Sequence, residues 1–201
     1  MEKSKTPFVP DLPIKSFKSQ DAWTKWLDAN HKKSPGIWLR IGKKDSGLSS
    51  VTYPEALDVA LCYGWIDGQK RPYDATTWLQ RFTPRGPRSI WSKINTGKAQ
   101  MLIKSGRMRA AGLAAIESAK ASGRWDVYQP SSVAEVPPDL QAALDAKPKA
   151  KAFFETLRGA NRYAIIFRVS TAKKPETRAR RIADFVDRLE RHETVYGLKS
   201  K

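Results

Sequence analysis

Apolar positions near the amino terminus follow two rhythms in succession. Trp23, Trp26 and Leu27 stand at i, i+3 and i+4 behind Ser19, a good helix N-cap, so a helix is expected to about Asn30. After Pro35-Gly36, Ile37, Leu39 and Ile41 alternate with Trp38 and Arg40, the period of two that marks a half-buried strand. Thr52-Tyr53-Pro54-Glu55 then forms a capping box with proline in the first turn, predicting a helix from Tyr53 to about Tyr63 that stops at Gly64. Short strands are expected over 37–44, 64–69 and 76–83, the last rich in β-forming residues.

Behind Ser89 the pattern is helical. Ile90, Ile94, Ala99, Leu102 and Ile103 fit one helix, broken near Ser105-Gly106, and Met108 to Ala119 fit a second that ends at Ser122-Gly123. A proline-containing connection over 125–138 precedes helices near 139–146, 149–158 and 161–171. A last helix from near Pro175 gathers Ile182, Phe185, Val186 and Leu189 on one face, with Arg178, Arg181 and Arg188 largely off it. Residues 1–18 read as an extended arm, because Pro7, Pro10 and Pro13 block helix while Phe8, Val9, Leu12, Ile14 and Phe17 offer docking contacts.

The expected fold class is therefore α+β, with a small antiparallel sheet of two or three strands and a predominantly helical carboxy-terminal half. A single domain over 1–201 is expected, divided into the arm, a mixed α/β part over 19–124 and a helical part over 139–192.

Charge changes this picture more than composition does. The chain has 201 residues, 40% of them hydrophobic, and a formal net charge of +17. Such an excess, spread over both halves, points to an anionic partner: a small molecule, a nucleic acid, or peripheral contact with an anionic membrane surface. One cysteine excludes an internal disulfide, and two histidines make a histidine-rich metal site a poor reading, so no metal or other cofactor is implied. The amino terminus is charged and proline-broken where a secretory signal needs an apolar run, and no stretch approaches the ~20 apolar residues of a membrane span. The expected location is the cytoplasm.

Between Lys70 and Arg109 stand ten basic residues and one acid, Asp74. Within that stretch Arg81, Arg85 and Arg88 are spaced by turn formers just before the helix expected at Ser89. If Ser89 caps it, the first backbone N–H groups and the guanidinium groups favour the same anion. Ser92 and Asn95 add hydrogen bonds from one helix face and Trp91 walls the site. The alternative is that these arginines pair with carboxylates elsewhere, or are solvated, while Ser89 merely caps. Trp65 and Asp67 lie in Gly64-Trp65-Ile66-Asp67-Gly68, where Asp67 either closes a turn before Gly68 or acts as a base or arginine partner. A small enzyme built on Asp67 with Cys62 or His31 requires those side chains in one cleft. Cys62, inside an apolar helix, reads better as an inert core residue.

Several motifs occur in a fixed order: Tyr53 to Leu57 (YPEAL), Leu61 to Gly68 (LCYGWIDG), Phe82 to Arg85 (FTPR), Ser89 to Asn95 (SIWSKIN), Gly123 to Asp126 (GRWD) and Ala172 to Ile182 (AKKPETRARRI). Together they resemble the YdeI/OmpD-associated, or bacteriocin-protection, family over nearly the whole chain. That resemblance implies a small bacterial cytosolic protein with a mixed front and a helical rear, linked to bacteriocin protection, stress and resistance to cationic antimicrobial peptides, and by name to a porin. It implies no catalytic residues. The reading at this stage is a non-enzymatic stress or bacteriocin-protection protein with an Arg/Trp-rich anion site. The alternatives are a nucleic-acid-binding protein using its broad basic surface, or a small enzyme centred on Asp67.

Overall fold

A computed structural model of the chain describes residues 9–125, 128–129, 131 and 133–197. Pro7 and Phe8 of the expected arm, and Asp126 of the four-residue motif GRWD, lie outside the described residues. Two compact units are present: Met1–Ser89 with Asn95–Trp125, called the front unit, and Ile90–Ile94 with Asp126–Lys201, called the rear unit, after their order along the chain.

The front unit holds a four-stranded sheet of β1 (Ile14–Ser16), β2 (Ile37–Gly42), β3 (Trp65–Pro72) and β4 (Thr77–Pro84), in the order β1-β2-β4-β3. The expected sheet of two or three antiparallel strands is one strand short. β1 pairs parallel to β2, Ile14 opposite Trp38, while the other two pairings are antiparallel. Three residues directly after Pro13 are too few to show an alternation. What makes them a strand is a long-range partnership, with Trp38 N–H donating to Pro13 O at 3.0 Å and Val51 N–H to Phe17 O at 2.9 Å.

Helix α1 (Gln20–Asn30) connects β1 to β2, the crossover a parallel pair requires. Ser19 caps it, its hydroxyl accepting from Ala22 N–H at 3.2 Å. Its stripe packs on the sheet face that carries Ile37, Leu39, Ile41 and Phe82. Trp23 is fully buried, 5.8 Å from the Phe82 ring and 6.3 Å from Trp65, and its indole N–H donates to Ala56 O at 3.1 Å. Ala56 belongs to α2 (Tyr53–Cys62), whose capping box forms as the sequence predicts: Thr52 accepts from Glu55 N–H while its own N–H donates to Glu55 at 2.9 Å. α2 ends before Gly64, at φ +71°, where a Cβ would lie 2.8 Å from Ala111 O, so conformation and space both demand glycine.

The β3–β4 hairpin departs from the expected turn at Asp67. Asp67 sits inside β3 opposite Phe82, and the strand continues to Pro72 across a bulge between Asp67 and Lys70. The bulge is stable because buried Gln80 donates its side-chain amide to Gly68 O at 2.9 Å and Gln69 O at 3.2 Å. The real turn lies at Asp74, whose carboxylate accepts from Thr77 N–H at 2.7 Å, Thr76 N–H at 2.9 Å and Arg40 at 2.9 Å. Hydrogen bonds from Thr77 foremost, then from Thr76, hold its pKa down at about 2 against an ordinary 3.8. A carboxylate whose folded pKa is depressed contributes stability above its unfolded pKa and loses it as pH falls through the folded one. Asp74→Asn should therefore lower the melting temperature at pH 7, and the gap from the parent should narrow between about pH 4 and pH 2, read from thermal melts across that range.

Two more helices follow. α3 (Lys93–Lys104) ends before Gly106 at φ +69°, and α4 (Ala110–Ala121) before Gly123 at φ +61°. The rear unit contains α5 (Pro138–Asp145), α6 (Pro148–Thr156), α7 (Gly159–Ser170) and α8 (Pro175–Glu190), as the periodicity predicts. Ile182, Phe185, Val186 and Leu189 of α8 join Leu140, Leu144, Phe154, Ile165 and Val169 in its core. Arg178, at the edge of that stripe, is held by Asp139 at 2.8 Å.

Candidate functional site

The loop that leaves β4 carries two of the three arginines singled out above, and the third lies on the strand itself. Arg81 shares a sheet face with Trp38, its register partner on β2. Both side chains donate to Asp11, Arg81 at 2.7 Å and the Trp38 indole at 2.9 Å. The Trp38 hydrogen bond and then the Arg81 charge hold the Asp11 carboxyl below the usual range. Arg81 is thus a structural cation that ties the arm to the sheet.

Beyond Pro84 the backbone turns back on itself. Arg85 N–H donates to Gly64 O at 2.9 Å, and Ser89 N–H to Gly86 O at 2.9 Å across Pro87 and Arg88. Arg88 is exposed, whereas Nε and Nη2 of Arg85 are withdrawn from solvent. Ser89 does not cap a helix: α3 begins at Lys93, four residues later. Its backbone N–H is already committed to the Gly86 turn. The first N–H of α3 is committed as well, Lys93 donating to Tyr128 O at 3.0 Å within the rear unit. The expected convergence of helix terminus and arginines therefore lacks its helix terminus.

Trp91 and Ser92 are buried and group with the rear unit, where Ser92 bridges to Tyr128. Asn95, also buried, lies on α3 and groups with the front unit. Trp65 is a core residue, packed edge-on against Trp23 and Trp26, with its indole N–H donating to His31 O at 3.2 Å.

Asp67 accepts from the Tyr53 hydroxyl at 2.9 Å. Burial first, and the Asp67 charge second, push the Tyr53 pKa well above its ordinary value, so the phenol stays protonated and keeps donating. Cys62 is buried, and burial raises its thiol pKa despite the neighbouring Arg107. The His31 Nδ1 lies 2.8 Å from Leu27 O, and its ring packs against Tyr63. Tyr63 in turn donates to Asp28, and burial followed by that bond pushes its pKa up to about 12. Among the described residues no hydrogen bond joins Asp67, Cys62 and His31, so the constellation an Asp67-centred enzyme needs is not assembled. No group of three or more metal-ligating side chains occurs among them, and no helix there is long and apolar enough to cross a membrane.

Sequence reasoning missed the two partners that define these roles, Asp11 for Arg81 and Tyr53 for Asp67. Each bond ties a strand residue to a separate segment, Asp11 before β1 and Tyr53 at the start of α2, and neither residue type marks its partner; Tyr53 had a complete local role as the first helical residue. Only the alternation of Trp38 and Arg40 against Ile37, Leu39 and Ile41 pointed to a second, polar sheet face on which an acid was needed.

Residues 15–115 match a family model described as a domain of unknown function (DUF8412), and residues 133–192 match one described as Bacteriocin-protection, YdeI or OmpD-Associated. Nothing among curated proteins or solved structures matches the chain.

Proposed function

We propose, from the premise that the chain belongs to the DUF8412 family through residues 15–115 and carries a YdeI/OmpD-associated segment over residues 133–192, that it is a cytoplasmic, non-enzymatic protein of bacteriocin protection that binds an anionic ligand at Arg85 and Arg88. The family description supports the protection-related role. The observation that carries the anion is the charge imbalance between Lys70 and Arg109. Asp74, the one acid in that stretch, is consumed by the hairpin turn and Arg40. Arg81 and Lys98 draw on acids from outside it, Asp11 and Asp58. Arg88 stands exposed three residues from Arg85, on a turn that the Ser89 N–H to Gly86 O bond closes around Pro87.

Titration calorimetry with inorganic pyrophosphate tests the reading. Arg85→Ala with Arg88→Ala is expected to weaken binding about tenfold or more, since a charge-assisted hydrogen bond contributes about 1.5–3 kcal/mol. An unchanged affinity in the double variant sinks the site assignment. A nucleic acid on the broad basic surface is the second reading, favoured by the exposure of Lys104, Arg107 and Arg109 beyond that loop. It differs in salt dependence, because each neutralised phosphate adds about −0.9 to the slope of log affinity against log salt. A slope near that of one or two contacts keeps the local site; a much steeper one, with duplex or single strand, transfers the function to the surface.

A further inference from the structure

The front unit contains a cavity of about 330 Å³ that none of the arginines above lines. It opens at the end of the sheet, between β2, the loop that follows it and the first turn of α2. Ile41 and Trp78, register partners on neighbouring strands, form its floor. Leu48, Val51 and Tyr53 form walls, and Lys43 and Lys44 stand at the β2 end. The volume is within the ~300–1,000 Å³ typical of small-molecule sites.

Its chemistry is lopsided. No carboxylate lines the cavity, although two lysines do. Lys43 is held by two neutral carbonyls, donating to Asp74 O at 2.9 Å and Ala75 O at 2.8 Å, so its position is fixed while its charge stays uncompensated by that pairing. A third cation, Lys70, lies 4.2 Å from the Trp78 ring centroid. Two acids lie just behind the lining, Asp67 bonded to the Tyr53 hydroxyl and Glu55 to the Thr52 N–H, while Asp74 is held by Arg40 and the turn amides. Asp45, in the same loop, is not a lining residue. Ser50, the small hydroxyl inside, is also used, accepting from Gly42 N–H at 3.1 Å and donating to Val51 O at 2.9 Å. What is left for a ligand is an aromatic and aliphatic surface with Tyr53 and Trp78 6.1 Å apart, edged by lysines.

We infer that this cavity binds a planar heteroaromatic ring carrying a phosphate, the chemistry of a nucleotide, with the ring against Trp78 and the phosphate at Lys43 and Lys44. A flat ring matches the indole, which is partly exposed and lines the cavity with Lys70 over its ring. An anion tethered to that ring matches the lysines, and no acid stands in the lining itself to face it directly. The inference stands apart from the Arg85–Arg88 reading, which uses a different loop.

Calorimetry with adenosine monophosphate, adenosine, inorganic phosphate and a short oligothymidylate tests it at low salt. Adenosine monophosphate is expected to bind about tenfold or more tighter than either half alone, because ring stacking and charge contacts each contribute. Trp78→Ala should weaken it about tenfold and Trp78→Phe much less, with thermal melts confirming that each variant folds. Lys43→Ala with Lys44→Ala should bring the monophosphate down to the affinity of adenosine while leaving adenosine unchanged. That second variant keeps the test open if Trp78→Ala does not fold. The Arg85→Ala, Arg88→Ala protein should retain the parent affinity. Tighter binding of the monophosphate assigns the site to free nucleotides, and tighter binding of the oligothymidylate to single strands; both sustain ring-and-phosphate recognition. The inference is overturned if the monophosphate fails to bind, if it binds no tighter than phosphate, or if the lysine pair can be removed without effect.

Discussion

Gly112→Val is expected to destabilise the front unit by about 3 kcal/mol or more, the upper range of overpacking costs, because the new side chain has nowhere to go. A Cβ at Gly112 would lie 2.4 Å from Cys62 O and 2.4 Å from the Met108 Sδ. The methionine can swing aside, but the carbonyl cannot. It belongs to the last residue of α2 and accepts from Arg109 N–H at 3.2 Å, so the close approach of α4 to the end of α2 is built into two helices at once. Relief would require pulling α4 away from α2. Gly97 is the internal contrast, since nothing lies within 4 Å of a Cβ built there in α3. Gly97→Ala should be neutral to stabilising by about 0.5–1 kcal/mol, the helix-propensity difference. Urea denaturation should lower the midpoint of Gly112→Val and leave that of Gly97→Ala unchanged or raised, and a Gly112→Val midpoint equal to the parent's would contradict the packing described.

Trp23→Ala should cost about 3–5 kcal/mol from lost burial, with a further ~1–3 kcal/mol if Ala56 O is left without its donor. The indole is the hub of the aromatic cluster. It stacks on Trp26 at 5.4 Å and 11°, contacts Phe17 at 5.2 Å, and reaches both Trp65 and Phe82 on the sheet. Its loss opens a cavity bounded by α1, α2 and two strands, none of which can collapse independently. Trp23→Phe separates the contributions, keeping a ring while removing the N–H donor, and should cost much less than alanine. Near-ultraviolet circular dichroism followed through denaturation reads both effects. If alanine and phenylalanine prove equally destabilising, the hydrogen bond rather than the packing dominates.

The elements legible in the chain were those whose causes are local. The Thr52–Glu55 box, the stop at Gly64 and the stripe on α8 each need residues no more than a few positions apart, and each formed as expected. The failures share the opposite property. β1 exists through bonds to β2 and to Val51, β3 outlasts Gly68 because Gln80 satisfies the bulge carbonyls from the neighbouring strand, and Ser89 loses its helix to a turn closed on Gly86. Charge showed the same division. An excess of cations was readable, but which of them are already spent on Asp11, Asp58 or Asp74 depended on strands and helices brought together by the fold.

The position of β3 at the rim of the sheet has a meaning for the protein's behaviour in a crowded solution. An open strand edge invites a neighbouring molecule to add its own strand, and the usual defences are charge, proline and bulges. The outer half of β3 has all three: Lys70 and Arg71 exposed, Pro72 closing the strand, and the irregularity after Asp67 twisting its ladder. At the other rim β1 is only three residues long, too short to template much pairing. Part of the positive charge on this chain thus works against aggregation, a task it performs whether or not any anion is bound.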